Sequence, residues 1–246
     1  MINEFSRTEL LIGNVALERL KDTKILVFGI GGVGSHCIEA LARSGVGVLA
    51  MVDNDKVSLT NINRQSVAWQ STVGRMKTSV MRERLGDINP SLKVVTSEEF
   101  VLPDNLQRIM EGIEEEMGGR PDYIIDAIET VSAKLAIAEY AVREDIPIIS
   151  CMGTGNKLHP ELFRIEDISK TKVCPLCRVM RRELKARGIC HLTVLYSEEK
   201  PVDTSERATG EETGTRRSLP GSISFVPPVA GLLIAGEVVR RIAGVT

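Results

Sequence analysis

Short apolar runs and amphipathic stretches alternate over the first 150 residues. Residues 25–28, 46–52, 92–96, 123–126 and 147–150 are apolar over strand length. Between them, residues 34–44, 77–85, 104–117 and 133–143 repeat apolar positions at helical spacing. Strands separated by helices in this way lie parallel, because each right-handed crossover returns the chain in the same direction. The pattern therefore predicts a Rossmann-like, doubly wound α/β sheet whose loops gather at the carboxyl ends of the strands. Ahead of it, Ser6-Arg7-Thr8-Glu9 matches a capping box and predicts a helix running to about residue 20.

Beyond residue 150 the rhythm changes. Residues 162–168 alternate like a strand with one exposed face, 178–186 read as a basic helix, and 191–196 as another strand. These predict a mixed, antiparallel carboxy-terminal extension of the sheet. Residues 197–218 hold only Val202 and Ala208 as apolar side chains, too few to bury surface, and predict a mobile loop. Pro227-Pro228 opens a last apolar helix that ends near Gly244.

Composition narrows the class. With 246 residues, 43% hydrophobic and 26% charged, the chain suits one large α/β domain or two small ones. A net charge of −2 excludes a general polyanion binder, so any nucleic-acid contact must be local. The amino terminus shows no signal-peptide pattern, and the apolar stretch 223–242 is interrupted by Pro227-Pro228, Glu237 and Arg240-Arg241. A cytoplasmic protein without a membrane span is expected. The five cysteines, Cys37, Cys151, Cys174, Cys177 and Cys190, are odd in number and scattered, which suits reduced thiols.

The candidate chemistry starts at Gly29-x-Gly31-x-x-Gly34, directly after the first apolar run, with Asp53 closing the second. Such a turn packs a helix on a strand, holds NAD, or holds another nucleotide. The next loop argues for more charge than one pyrophosphate: Asp53, Asp55, Asn61, Asn63, Arg64 and Gln65 crowd "DNDKVSLTNINRQ", and Lys77 follows at a helix start.

"FGIGGVGSHCIEALARSGVG", "DNDKVSLTNINRQ", "GRMKTSV", "INP" and "DAIETVSAK", in this order, resemble the ATP-binding domain of the ubiquitin-activating-enzyme-like adenylyltransferases, the ThiF family. The resemblance covers residues 6–156. It implies that ATP donates AMP to a carboxylate while pyrophosphate leaves. It implies further that Gly29, Gly31 and Gly34 let the backbone approach the nucleotide, that Asp53 holds the ribose, that Asn61, Arg64 and Lys77 grip the phosphates, and that Gly32, Asp55 and Gln65 also belong to the nucleotide site. Asp126 is the residue the resemblance links to Mg2+, and Arg7 the one that reaches the ATP of a second subunit, hence a homodimer. Zinc-binding relatives carry two C-x-x-C pairs; here only Cys174 to Cys177 is present, and no structural zinc is expected.

"CPLCRVMRRELKARGI", "YSEEKP" and "GSISFVPPVAGLLIAGEVV" are similar to the branch of that family that dehydrates threonylcarbamoyladenosine in tRNA. With it the resemblance spans one domain, 1–246, with an ATP part at 6–156 and a tRNA part at 157–246. That branch adenylates the threonyl carboxylate beside the anticodon, and the activated group closes into a ring with loss of AMP. Two other readings remain open at this point. One is activation of the carboxyl terminus of a ubiquitin-like sulfur-carrier protein through a thioester at Cys190; the other is an NAD-sensing module. For the tRNA branch itself, a sulfur-relay protein is a candidate partner.

Between residues 172 and 187, Lys172, Arg178, Arg181, Arg182, Lys185 and Arg187 face only Glu183 in charge. This is a tRNA phosphate surface or a solvated helix face. Arg216-Arg217 would add a clamp to the former, whereas Glu114-Glu115-Glu116 reads as a solvated helix end.

Overall fold

The structure is a computed structural model describing residues 2–204 and 220–245. In chain order the elements are α1 (Ser6–Ile12), α2 (Asn14–Asp22), β1 (Lys24–Phe28), α3 (Gly34–Arg43), β2 (Val48–Val52), α4 (Lys77–Ile88), β3 (Lys93–Ser97), α5 (Leu106–Met117), β4 (Tyr123–Asp126), α6 (Val131–Arg143), β5 (Ile148–Cys151), β6 (Phe163–Asp167), α7 (Pro175–Ala186), β7 (Thr193–Ser197) and α8 (Pro227–Ala243). The seven strands form one sheet in the order β3-β2-β1-β4-β5-β7-β6. All neighbours are parallel except β6, which runs antiparallel to β7 from Phe163 opposite Ser197 to Asp167 opposite Thr193. The mixed extension thus continues the parallel sheet rather than forming a separate layer.

The strands are apolar throughout because both faces are covered. On β1, Ile25 and Val27 pack toward α3, α4 and α8, while Leu26 and Phe28 pack toward α5 and α6. A third cluster joins α6, α7 and β7 through Leu135, Met180, Leu184 and Val194. Each such side chain contributes roughly 1.5–3 kcal/mol relative to exposure. Strand order reverses direction between β1 and β4, so the loops after these two strands diverge and open a crevice at their carboxyl ends.

The first helix differs from its expected form. Gly13, at φ +81°, ends α1 by donating its N–H to Glu9 O, then starts α2 by accepting from Leu17. An L side chain rarely adopts that angle, so the helix breaks at the glycine. The capping pair also lies earlier than expected: Ser6 Oγ accepts from Asn3 N–H, and Asn3 Oδ1 from Phe5 N–H. The expected mobile loop is tied down at its start, where Glu199 is buried and Val202 N–H donates to Asn156 O. Residues 205–219, with Arg216-Arg217, lie outside the described residues. Among the described residues no helix is long and apolar enough to cross a membrane.

Candidate nucleotide site

The glycine turn is built by steric need before any ligand is considered. Gly29 has φ +93°, donates its N–H to Val52 O at 2.8 Å, and lies so near β4's exit that a Cβ would stand 2.8 Å from Ala127 O. A Cβ on Gly34 would stand 1.9 Å from Gly29 O. Gly32 is covered by the Arg64 stem and Pro227. Gly31 is different: a Cβ there would meet nothing within 4 Å, because it faces a cavity of about 600 Å3. Gly29, Gly34 and Gly32 serve packing, and Gly31 is the one whose missing side chain leaves room for a ligand.

Gly29, Gly31, Gly32, Asp53, Asp55, Asn61, Arg64, Gln65 and Lys77 all line this one cavity. Asp53, one residue past β2, accepts from Ile30 N–H at 2.6 Å and Asp55 N–H at 2.8 Å. Burial pushes its carboxyl up, and the Lys77 ammonium and the two N–H donors pull it partly back. Lys77 opens α4 with its side chain buried; its Nζ lies 2.7 Å from Asp55 and 3.7 Å from Asp53. These two carboxylates aim the ammonium at the cavity. Arg64 is half-buried and anchored through Nη1 to Thr60 O and Asn63 Oδ1. Asn61 Oδ1 accepts from Ser58 N–H, and the Gln65 carboxamide oxygen is buried with no partner. A glycine turn, two positioned cations and carboxamides make a cradle for a polyphosphate.

Asp126 is not brought to this group. It is fully buried, with Lys134 Nζ at 2.8 Å and Ser150 Oγ at 2.5 Å, and does not line the cavity. The expected Mg2+ role is corrected accordingly: a carboxylate already neutralised by a buried ammonium presents no charge to a metal at the nucleotide. Three residues on, Glu129 is exposed and lines the cavity. The sequence reading missed it by taking the strand-end residue; the first residue past the turn toward α6 was the better signal.

The opposite wall was also missed. Met152, Gly153, Thr154, Gly155, Leu176, Pro220, Gly221, Ser222 and Pro227 line it. Asn63 Nδ2 donates to Ser222 O at 2.9 Å, and Asn156 exchanges bonds with Gly221, so the wall is stitched from distant segments. Its only local signal is the glycine-containing exit from β5, at the same edge of the sheet as the other strand ends.

Arg7 is exposed on α1 and lines no part of its own chain's cavity. The basic helix α7 divides. Arg178 and Lys185 are exposed, and Arg182 and Arg187 both pair with Glu183. Arg181 turns inward, its Nη1 donating to Ile168 O, Thr171 O and Thr171 Oγ1 at 2.7–3.1 Å. Its expected phosphate contact is corrected, since the guanidinium ties α7 to the preceding turn. Cys190, the thioester candidate, is exposed and lies outside the cavity lining. Among the described residues no three His, Cys, Asp or Glu side chains could hold a metal ion.

Comparison with known proteins agrees with this geometry. The chain is 41% identical over 247 residues to the tRNA threonylcarbamoyladenosine dehydratase of Bacillus subtilis, covering 97% of this chain and 94% of the relative. The Escherichia coli enzyme of that name is 40% identical over 182 residues, 74% of this chain and 65% of the relative. The crystal structure of the E. coli tRNA N6-threonylcarbamoyladenosine dehydratase TcdA in complex with ATP superposes with a TM-score of 0.84 at 32% identity, covering 98% of this chain and 94% of that one. With the family's model matching residues 5–246, around a cavity that the glycine turn and the Arg64 and Lys77 cations build together, this chain belongs to the ThiF family.

Proposed function

We propose that this chain is an ATP-dependent tRNA threonylcarbamoyladenosine dehydratase that adenylates the threonyl carboxylate and closes it into a ring. The observation that carries the reading is its 41% identity to the B. subtilis dehydratase over 97% of this chain. ATP is a substrate here, with Gly31 leaving room for it, Asp53 facing the ribose, and Asn61, Arg64, Gln65 and Lys77 facing the phosphates. When the carboxylate attacks the α-phosphorus and the bond to pyrophosphate breaks, negative charge gathers on the phosphoryl oxygens. Arg64 and Lys77 stabilise it without reorganising, because Thr60, Asn63, Asp53 and Asp55 already hold them. The activated carboxyl then closes on its own threonylcarbamoyl group, and AMP leaves with the carboxyl oxygen. A molecule of water is thereby removed across the two steps.

Mg2+ would neutralise phosphate charge in this site, and Glu129, which lines the cavity, would hold it as an oxygen ligand suited to a hard cation. Arg7 serves the cavity of a second copy in a homodimer; Leu10 and Leu11 beside it are each 87% exposed, apolar surface that an assembly covers. Exposed Arg178, Arg182 and Lys185 extend from Leu176 at the cavity wall and meet tRNA phosphates along the helix. The carrier-protein reading is not favoured, since Cys190 stands outside the cavity lining.

ATP–pyrophosphate exchange with threonylcarbamoyl-modified tRNA, unmodified tRNA and no tRNA tests the reading. Exchange only with modified tRNA is expected. Equal exchange in all three arms would overturn it.

A further inference from the structure

We propose that Cys174 and Cys177 form a peroxide-oxidisable dithiol, built at the start of α7 beside the wall of the nucleotide cavity. Cys174 is the residue immediately before α7, and Pro175 begins the helix. Cys174 caps the helix and Cys177 lies in its first turn, and both side chains are buried in one cluster with Leu135, Met180 and Tyr196. Leu176, between the two cysteines, lines the cavity.

Cys174, at the helix start, is the sulfur placed to carry the thiolate, and Cys177, within the first turn, the thiol. The Cys177 thiol beside it, the helix start and the buried Lys157, whose Nζ donates to Glu199 O at 2.7 Å, hold Cys174 below the usual thiol range. Cys177 is pushed up by the Cys174 sulfur near it and by burial. The other buried thiols lack this setting: burial alone is the main influence on Cys37 and Cys151, and it pushes Cys151 up to about 12.

The backbone adds an independent observation. Val173 has φ +63°, and Cys174 N–H donates to Lys172 O at 2.6 Å, so Cys174 leaves a γ-turn of the rare positive-φ kind. A β-branched residue in that region is strained, and such strain concentrates where a site requires it. With only this cysteine pair and no third ligand among the described residues, a dithiol accounts for the cluster and a metal does not.

In the reaction, the Cys174 thiolate attacks one oxygen of hydrogen peroxide. The S–O bond forms, the O–O bond breaks, and the departing hydroxide takes a proton to become water. Cys177 sulfur then attacks the sulfenic acid on Cys174; the S–S bond forms, the S–O bond breaks, and hydroxide leaves with the Cys177 proton as a second water. The dithiol loses two electrons and the peroxide gains them. A thiol reductant reverses the bridge.

Trypsin cuts after Lys172 and Arg178, so Val173 to Arg178 is one peptide holding both cysteines. The full-length protein is treated with hydrogen peroxide, denatured in iodoacetamide, digested and weighed. The peptide should lose roughly 2 Da, take no alkyl group, and form about 10-fold faster than Cys190 is oxidised; dithiothreitol should restore double alkylation. In Cys177→Ser the oxidation should stop at sulfenic acid on Cys174, captured by dimedone, with a melting temperature near that of the parent. A doubly alkylated peptide after Cys190 has been oxidised would overturn the proposal. So would stoichiometric zinc in the purified protein that protects the peptide.

Discussion

Residues 28–77 and residues 126–187 both send polar side chains to the carboxyl edge of one sheet, yet only in the first does chain position translate directly into cavity position. There, the residues sit on the turns and loop that follow β1 and β2 or, for Lys77, at the start of α4, pinned by short contacts such as Gly29 N–H to Val52 O and Ile30 N–H to the Asp53 carboxylate. In the second region, neighbours in sequence part company. Asp126 faces Lys134 inside the protein while Glu129 faces the cavity; Arg181 turns back to Thr171 while Arg178 points to solvent. A three-residue step along a strand exit or a helix changes a charge from structural to available.

The sharpest way to break that contrast is the carboxylate pair. Asp126→Asn should remove the partner of a buried ammonium and cost about 3–5 kcal/mol of stability, read as a large fall in melting temperature. Glu129→Gln should keep the melting temperature and lower exchange about 10-fold or more. If Asp126→Asn melted like the parent and lost only exchange, the assignment of the two residues would reverse.

Within the first region, Arg64→Ala should slow adenylation by about 10²-fold at saturating ATP, with the fold unchanged. Lys77→Ala should match it in rate but also melt earlier, since Asp53 and Asp55 then face each other without a cation. Parent-like turnover in either variant would remove the phosphate role.

On α7 the comparison can be made along one helix. Arg181→Ala should cost about 1.5–3 kcal/mol of stability by stranding carbonyls of the preceding turn, and leave tRNA affinity as it was. The smallest effect is expected from Arg178→Ala combined with Lys185→Ala. Melting should not change, ATP affinity should not change, and the salt dependence of tRNA binding should fall by roughly 1–2 in slope. An unchanged slope would make the stripe an ordinary solvated face.

The alternation of apolar runs and amphipathic stretches was enough to place the parallel strands and the helices between them within a few residues of where they lie, because a strand covered on both faces must be apolar throughout. The break at Gly13 was not legible in that way, since an apolar pattern continues through it and only the backbone angle ends the helix.

By itself, the amino-acid sequence determined the sheet, the glycine turn and the Asp53 to Lys77 face of the cavity, because those side chains follow strand ends whose direction the backbone ladder dictates. Tertiary structure alone decided that Asp126 is neutralised by Lys134, that Glu129 takes its place at the cavity, that Arg181 is structural, and that residues 152–155 and 220–222 meet across from Gly31. Those outcomes depend on which way a helix face points and on contacts between segments far apart in the chain, and neither is encoded in local spacing.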